Sequence, residues 1–447
     1  NTIITIFEPL LIINENNEVV GGQAESWEAS EDGLTWTFTM RDGLKWSDGT
    51  DLTAKDFEYS FKRMANPDTA APYAATCLGM IDGFDAAQAG DTDALNVKAS
   101  DDGKTLTIVL SYPCSYFDKM AAFASMSPVQ QATVEANGDA WCTSADTFVS
   151  NGPYMITDWT PSERIVLTKN PNYVGGWDSS KIVSDTITLL LLEDSSAAYA
   201  AYNSGEAVLI KDVPTDEIPS LTKAEDGGDF YVDTILGTYY ISLNLQHDAF
   251  KDAKVRKALA LAIDREYVAN TIMQGTYSAA SNLVGPGIVD EQGYFYDNAN
   301  GGSPYIAADY EANLAEAKKL LEEAGYPNGE GYPTIEYSTN DSGYHVPLAE
   351  YLQQAWGDLG ITLTINKMEW SSFTPARRAG EFDVARNGWV MDYNDPSNLI
   401  ELFETDNGNN DGKYANPDFD AAVEGSRVAD ASEHFAKLHE AEDILME

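Results

Sequence analysis

Two hydrophobic periods alternate along the last third of the chain, and this alternation narrows the folds that it can adopt. Leu348, Leu352 and Trp356 recur every four residues and predict a helix that ends at Gly360. The full predicted order is strand 334–338, this helix, strand 361–366, a short helix 371–379 and strand 382–390. Strands that are joined through helices pair in parallel, and ligands of such sheets lie at the carboxyl ends of the strands. We therefore predict an α/β unit whose ligand-binding segment lies just past Val390.

The first third of the chain has a different pattern. Trp36, Phe38 and Met40 alternate with threonines, which is the period of a half-buried strand, and a second such strand is predicted at 106–110. Between them, Thr53 and Asp56 have the spacing of a capping box and predict the start of a helix. This part of the sequence predicts a small α+β unit.

The middle of the chain predicts further strands at 164–168, 187–192 and 207–210, with a helix at 195–203. A strand, a helix and a strand in that order predict a parallel crossover. The segment 230–246 alternates over a long stretch around Gly237, so we predict a strand that passes between two lobes and acts as a hinge. Two longer helices are predicted at 252–273 and at 311–324, the second capped by Gly325.

The charge balance excludes several classes of partner. The chain has 72 acidic and 27 basic residues, a formal net charge of −45, which repels both nucleic acid and anionic lipid. The longest apolar stretch near the start, 3–13, is too short and too interrupted to span a bilayer. Because the first residue is Asn1 and not Met, we expect a signal peptide or a lipid-anchor cysteine upstream. These features are typical of an exported protein.

Sequence motifs of catalysis and of metal binding are absent from the chain. There is no H-E-x-x-H, G-x-S-x-G or P-loop motif, and only four histidines are present. The polar segment 407–412 imitates a calcium loop but lacks its bidentate glutamate, so we predict an ordinary polar loop. His434 and His439 are predicted to be surface residues. No catalytic residue, metal ligand or cofactor is assigned.

Three cysteines, Cys77, Cys114 and Cys142, lack the C-x-x-C spacing of zinc or redox sites. An export compartment permits one disulfide, and Cys114 with Cys142 is the preferred pair, with unpaired thiols as the alternative.

A cluster of aromatic and charged residues surrounds the end of the last predicted strand. It runs from Trp389 to Pro396 and includes Asp392, with Arg386 before it and Trp370, Arg377 and Arg378 further back. An aspartate among arginines suits a zwitterionic ligand, because the aspartate pairs with an ammonium and an arginine with a carboxylate. The residues alone favour the alternative, an internal Asp–Arg pair with the tryptophans as core.

Several motifs along the whole chain resemble one family. They include K-W-S-D-G at 45–49, S-N-G-P-Y at 150–154, V-R-K-A-L at 255–259, A-G-Y at 324–326 and the Asp392-Tyr393 region. The chain is identified by them as a member of the oligopeptide and dipeptide receptors of ABC importers, the family 5 extracellular solute-binding proteins. The Asp392-Tyr393 region is similar to the peptide-binding branch.

The resemblance implies an α/β, two-lobed periplasmic-binding-protein type II (venus-flytrap) fold with mixed sheets, an inter-lobe hinge and an extra small α+β subdomain. Lobe I is then 1–15 with 131–236, the small subdomain is 16–130, and lobe II is 237–447 and carries most of the peptide site. The chain is expected to lack the family's N-terminal strand and final strands. At Val390 some relatives have a cysteine that forms a disulfide near the hinge.

The resemblance also implies the residues of a peptide site. Asp392 matches the aspartate that holds the peptide ammonium, and Arg377, Arg386 and His345 match positions that meet the carboxyl end. Trp370 and Trp389 match pocket walls, while Gly388 and Val390 match backbone positions that pair with the peptide as an added strand. Further contacts are implied for Tyr73 and Asn409.

The implied function is capture of short peptides in the inter-lobe cleft and delivery to a membrane permease, with no enzymatic activity. We expect a monomeric, extracytoplasmic protein, either periplasmic or a cell-surface lipoprotein, whose partners are peptides and permease subunits. Two alternatives stay open. One is a receptor of this family for an oligosaccharide or a metal chelate, and the other is a peptide-sensing signalling or adhesion protein.

Overall fold

Two units, each with its own sheets, form the part of the chain that the computed structural model describes, namely residues 2–192, 194–211, 213–222, 228–290, 292–341, 343–405, 407–428 and 430–447. The first unit comprises Asn1–Leu209 and Arg427–Asp430, and the second comprises Ile210–Ser426 and Ala431–Glu447. The predicted partition into two lobes and a small subdomain stays a prediction.

The first unit contains three antiparallel sheets and short helices. Its strands are β1 Leu11–Ile13, β2 Val19–Gly21, β3 Ala24–Ala29, β4 Thr35–Met40, β5 Val97–Ala99, β6 Thr105–Val109, β7 Tyr154–Thr160, β8 Arg164–Lys169 and β9 Thr186–Leu190. Its helices are α1 Ile3–Ile6, α2 Ala54–Ala65, α3 Ala74–Leu78, α4 Phe84–Gln88, α5 Phe117–Ala121, α6 Gln131–Asn137 and α7 Ser195–Asn203.

The local predictions for the first third are confirmed. Strand β4 buries Trp36, Phe38 and Met40 on one face, because alternate side chains of a strand point to the same side. Helix α2 begins with the predicted capping box, in which the backbone N–H of Thr53 donates to Asp56 Oδ2 at 2.8 Å.

The parallel crossover predicted for the middle of the chain is wrong. Strands β7, β8 and β9 form an antiparallel sheet, and within the described residues 207–210 form no strand. Val208 is 92% exposed, so this short apolar run does not bury its side chains as a core strand would. A run of this length does not by itself distinguish a strand from a loop.

The predicted disulfide is not formed, since Cys142 is a free thiol in the described part of the chain. Cys114 is buried just before α5, whereas Cys142 is partly exposed at the end of a 3₁₀ turn, Gly138–Cys142.

The second unit is built around one four-stranded sheet. Its strands are β10 Gly237–Leu243, β11 Val289–Asp290, β12 Gly293–Tyr294, β13 Ile335–Asn340, β14 Leu363–Met368 and β15 Val384–Val390. Its helices are α8 Ile218–Leu221, α9 Ala253–Leu261, α10 Arg265–Tyr267, α11 Phe295–Asn298, α12 Tyr310–Glu323, α13 His345–Gly357, α14 Trp370–Ala379, α15 Ser397–Ile400, α16 Pro417–Gly425 and α17 Ala431–Met446.

The order of strands in this sheet is β10-β15-β13-β14. Strand β13 pairs in parallel with both β14 and β15, and β10 is antiparallel to β15. The predicted β-α-β-α-β order is therefore confirmed, and β13, β14 and β15 end on the same side at Asn340, Met368 and Val390.

Two predicted elements of the second unit are shorter than expected. Strand β10 begins at Gly237, so the segment before it is not part of the strand. The helix predicted at 252–273 is divided, because Asp264 Oδ1 accepts the backbone N–H of Tyr267 at 2.9 Å and starts α10. A π-helical turn, Val268–Ile272, follows. Side-chain capping of this kind favours a helix start over continuation.

Two buried clusters support the region around β15. One lies between the sheet and helices α9, α12 and α13 and includes Tyr337, Leu352, Trp356 and Val384. The other includes Leu399, Ile400, Phe419 and Leu438 and packs against Trp389. No helix in the described ranges is both long enough and apolar enough to cross a bilayer.

Candidate functional site

The sequence-predicted site residues of the second unit gather where the three parallel strands end. Gly388, Trp389 and Val390 close β15, Asp392 follows it, Trp370 begins α14 after β14, and His345 begins α13 after β13. This is the edge of the sheet at which the topology places a ligand.

Asp392 carries a carboxylate that no described residue of the second unit neutralises. Its Oδ2 atom is shielded from solvent and has no hydrogen-bond partner among the described residues. Burial raises the pKa of Asp392 to about 6. A buried carboxylate without a partner is costly to ionise, so the position favours a cationic group from elsewhere. The internal Asp–Arg pair left open by the sequence does not involve Asp392.

Arg377 forms the internal pair instead. Its Nε lies 2.9 Å from Oδ2 of Asp411, and its Nη1 donates to Asn387 Oδ1 at 2.7 Å. The amide of Asn387 in turn donates to Asp411 Oδ2 at 3.1 Å. The Arg377 guanidinium is therefore held beneath the site by a buried carboxylate, and it contacts the ring of Phe373.

Arg386 is the arginine whose charge no carboxylate of the described residues compensates. Its Nε donates to Asn340 Oδ1 at 2.7 Å, and its guanidinium lies 5.0 Å from the ring centre of Trp370. In the described part of the chain Arg386 forms no ion pair with a carboxylate. Burial is the main cause that lowers the pKa of Arg386, although a guanidinium stays charged at neutral pH.

His345 and Tyr239 form a stacked pair beside Arg386. The hydroxyl of Tyr239 lies 3.0 Å from Nδ1 of His345, and the two ring centres are 5.6 Å apart. Burial, followed by the charge of Arg386, lowers the pKa of His345 to about 4. The imidazole is therefore neutral at neutral pH.

Strand β15 offers one free edge next to these side chains. It pairs with β10 from Val384 to Val390, but it pairs with β13 only at Val384 and Ala385. Beyond Ala385 this second edge has no strand partner in the described ranges. Val390 is 58% exposed and Trp370 is 53% exposed at this end of the sheet. An extended ligand can add to such an edge through main-chain hydrogen bonds.

The two remaining candidates lie in less distinctive places. Tyr73 belongs to the first unit, is partly exposed, and has its ring 5.6 Å from that of Phe123. Asn409 is half-buried in the loop after α15, where its N–H donates to Asn407 Oδ1 at 2.9 Å. Asn410 holds this loop by donating to the carbonyl of Tyr414 at 2.7 Å.

Sequence reasoning missed Tyr239, Asn340, Asn387 and Asn398. Asn340 ends a parallel strand and could have been found from that position, whereas the other three are identified only by tertiary contacts. The prediction that His434 is a surface residue is wrong, because His434 is buried against Asp395. His439 is partly exposed and stacks on Phe295 with ring centres 3.9 Å apart.

Comparison with known proteins gives consistent matches over nearly the whole chain. The family described as Bacterial extracellular solute-binding proteins, family 5 Middle, matches residues 18–411. The Periplasmic oligopeptide-binding protein OppA of Salmonella typhimurium is 36% identical over 444 residues, which cover 97% of this chain and 79% of the relative.

Two solved structures are similar to the whole fold. The Escherichia coli murein tripeptide binding protein MppA has a TM-score of 0.85 at 32% identity, covering 100% of this chain and 85% of that protein. Haemophilus influenzae OppA in complex with RPPGFSPFR has a TM-score of 0.81 at 29% identity, covering 100% of this chain and 86% of that one. The predicted fold class, that of two-lobed periplasmic binding proteins, is confirmed by these matches.

Proposed function

Because the chain belongs to family 5 of the bacterial extracellular solute-binding proteins, we propose that it is the peptide receptor of an ABC importer. It binds short peptides by their charged ends and by their main chain, and it delivers them to a membrane permease. Its relatives include an oligopeptide-binding protein and a murein tripeptide binding protein, which supports this choice of ligand.

The observation that carries the proposal is the state of Asp392. Its Oδ2 is buried without a partner, and its pKa is raised to about 6, so the free protein holds a carboxylate that an ammonium would stabilise. Arg386 has the opposite charge and could pair with a ligand carboxylate, since its guanidinium forms no ion pair with a carboxylate among the described residues. One uncompensated charge of each sign suits a zwitterion with a positive and a negative end.

The main chain of the peptide is bound beside β15. The edge of Gly388–Val390 that β13 leaves unpaired accepts an added strand. Main-chain bonds are common to all peptides, so affinity follows without a fixed sequence. Trp370 and Trp389 then form walls for side chains, and Arg386 and His345 meet the carboxyl end.

Arg377 takes a supporting part in this scheme. The pair with Asp411 occupies its guanidinium, so it fixes Asn387 and β15 and does not by itself neutralise a peptide. Asn409 contributes a peripheral contact.

The protein acts by binding and not by catalysis, and it acts outside the cytoplasm. Peptides and permease subunits are its partners, and it works as a monomer without cofactor or nucleic acid. It is either a periplasmic protein or a cell-surface lipoprotein, and only the second form is attached to a membrane, through a lipid anchor. The net charge of −45 supports the absence of nucleic acid, because phosphates would be repelled.

The test is to identify what the purified protein carries. Mass spectrometry of small molecules released by denaturation should reveal intact peptides of about two to six residues. Calorimetric titration should then show that a peptide with a free amino group binds and that its N-acetylated form binds more weakly. Recovery of a sugar, a chelate or another non-peptide solute, with no peptide binding, would overturn the choice of ligand and leave the family unchanged.

A further inference from the structure

The side chain of Asn398 joins the two residues at the centre of the site. Its Oδ1 accepts a hydrogen bond from the indole Nε1 of Trp389 at 2.9 Å and one from the backbone N–H of Asp392 at 2.8 Å. Asn398 is only 4% exposed. One buried oxygen therefore connects a pocket wall with the backbone of the candidate ammonium anchor.

The amide oxygen of Asn398 satisfies both donors. An amide oxygen has two lone pairs, and the Asn398 oxygen accepts one hydrogen bond with each of them. Among the described residues, neither the Trp389 indole N–H nor the Asp392 backbone N–H has a second acceptor. Removing the oxygen would leave two N–H groups unsatisfied in a partly buried place. Trp389 and Asp392 would then lose the hydrogen-bond acceptor that they share.

The position of Asn398 is itself fixed by buried polar contacts. It lies in α15, which begins where Asp395 Oδ1 accepts the N–H of Ser397 at 3.1 Å. The same Oδ1 lies 3.2 Å from Nε2 of His434, whose Nδ1 is 2.7 Å from the carbonyl of Ser426. His434 belongs to α17, so the turn that carries Asn398 is tied to a long helix of the second unit.

We propose that Asn398 is a positioning residue of the proposed site, and that it fixes the Trp389 indole relative to the backbone of Asp392, from which the carboxylate projects. The ligand named in this inference rests on the proposed function, but the positioning itself is a property of the free protein. Its consequence is selectivity: a fixed Asp392 distinguishes an ammonium from an amide, whereas a loose one does not.

The first experiment uses the ligand-free protein labelled with 5-fluorotryptophan. The chain has nine tryptophans, and Trp389→Phe identifies the fluorine resonance of Trp389. We expect Asn398→Ala to move or broaden this resonance and to leave the other eight almost unchanged. The matched control is Asn244→Ala, which removes another buried amide, one that donates to the carbonyl of Phe382 at 2.9 Å at the opposite end of β10. This control should leave the Trp389 resonance in place.

A second variant keeps the inference testable if Asn398→Ala does not fold. Asn398→Asp keeps an acceptor oxygen but adds a negative charge next to Asp392. In the wild type, the Trp389 fluorine should titrate with a midpoint near the pKa of Asp392, about 6. Since like charges disfavour ionisation, the midpoint in Asn398→Asp should move to higher pH. An unchanged midpoint together with an unchanged Trp389 resonance would overturn the inference.

The binding experiment compares one peptide with its N-acetylated form. We expect Asn398→Ala to weaken binding of the free-amino peptide on the order of ten-fold and to change binding of the acetylated form much less. Equal losses for both forms, as expected for Asn244→Ala if it acts through stability, would contradict the inference. If the wild type binds neither form, the proposed function fails, and the fluorine spectra still decide whether Asn398 positions Trp389 and Asp392.

Discussion

Arg377 and Asp411 form a buried ion pair beneath β15, with Nε of Arg377 2.9 Å from Oδ2 of Asp411 and with side chains 12% and 4% exposed. Asn387 bonds to both partners and so connects the pair to the strand. This relationship separates the arginine that supports the site from Arg386, the arginine that is available to a ligand.

We expect Arg377→Ala to lower the free energy of unfolding by about 3 to 5 kcal/mol, because it leaves the Asp411 carboxylate buried without a counter-charge. Urea unfolding of the ligand-free protein measures this loss. The double variant Arg377→Met with Asp411→Leu should lose less unfolding free energy, since neither charge remains buried without its partner. Arg164→Ala removes an exposed pair with Asp158 and should cost at most about 1 kcal/mol. Equal losses of unfolding free energy in Arg377→Ala and Arg164→Ala would contradict a stabilising role of the Arg377–Asp411 pair.

Removing the charge of Asp392 should weaken peptide binding. We expect Asp392→Ala to lose about 2 to 5 kcal/mol of binding free energy for a free-amino peptide, a loss that includes leaving the ligand ammonium unpaired. The N-acetylated peptide, which has no ammonium, should lose far less in the same calorimetric titration. Unchanged affinity for the free-amino peptide would remove Asp392 from the site.

The ionised carboxylate of Asp392 should destabilise the ligand-free protein at neutral pH. Burial raises the pKa of Asp392 to about 6, so the folded state holds the proton more tightly than the unfolded state, and stability falls as pH rises from about 4 through 6. Asp392→Asn should therefore be more stable than the wild type at pH 7, by about 1 to 2 kcal/mol after allowance for solvent screening. The difference should disappear near pH 4. Asp216→Asn, at an exposed position, is the matched control for loss of one surface carboxylate.

Arg386 should recognise the carboxyl end of the peptide. We expect Arg386→Met to weaken binding of a peptide with a free carboxylate by about 1.5 to 3 kcal/mol, the range of hydrogen bonds to charged groups. Binding of the same peptide with an amidated end should change little. Arg378→Met removes a neighbouring charge and serves as the control in these titrations. A similar loss for both peptides would show that Arg386 acts through structure and not through the carboxylate.

His434 should stabilise the second unit most strongly at low pH. Burial alone would lower the pKa of His434, but the hydrogen bond and charge of Asp395 and the Ser426 carbonyl raise it above its ordinary value. The resulting stability is present below about pH 6.5 and is lost as pH rises through the folded pKa. His434→Gln should cost about 1 to 3 kcal/mol at pH 6 and less at pH 9, by urea unfolding. His247→Gln, at a more exposed pair, is the control, and a pH-independent cost at His434 would contradict the ion pair.

The fold of the second unit could be predicted largely from its sequence, because periodicity and capping are local properties. The four-residue spacing of Leu348, Leu352 and Trp356 is enough to place α13, and the β-α-β-α-β order fixes which ends of the strands meet. The same logic fails at 207–210 and at 252–273. There, pairing with a distant strand or capture of one N–H by Asp264 decides the outcome, and neither can be read from apolar spacing.

The sequence by itself determined the family and the parallel strands of the second unit, and it predicted a site at the end of β15. Tertiary structure alone decided which charges are free. Arg377 and Arg386 have equivalent side chains, but the fold pairs Arg377 with the distant Asp411 and leaves Arg386 beside Asn340 and Trp370. It likewise brings Asn398 under both Trp389 and Asp392. Charge compensation and hydrogen bonding depend on distances of a few ångströms between residues far apart in the chain, and such distances exist only once the chain is folded.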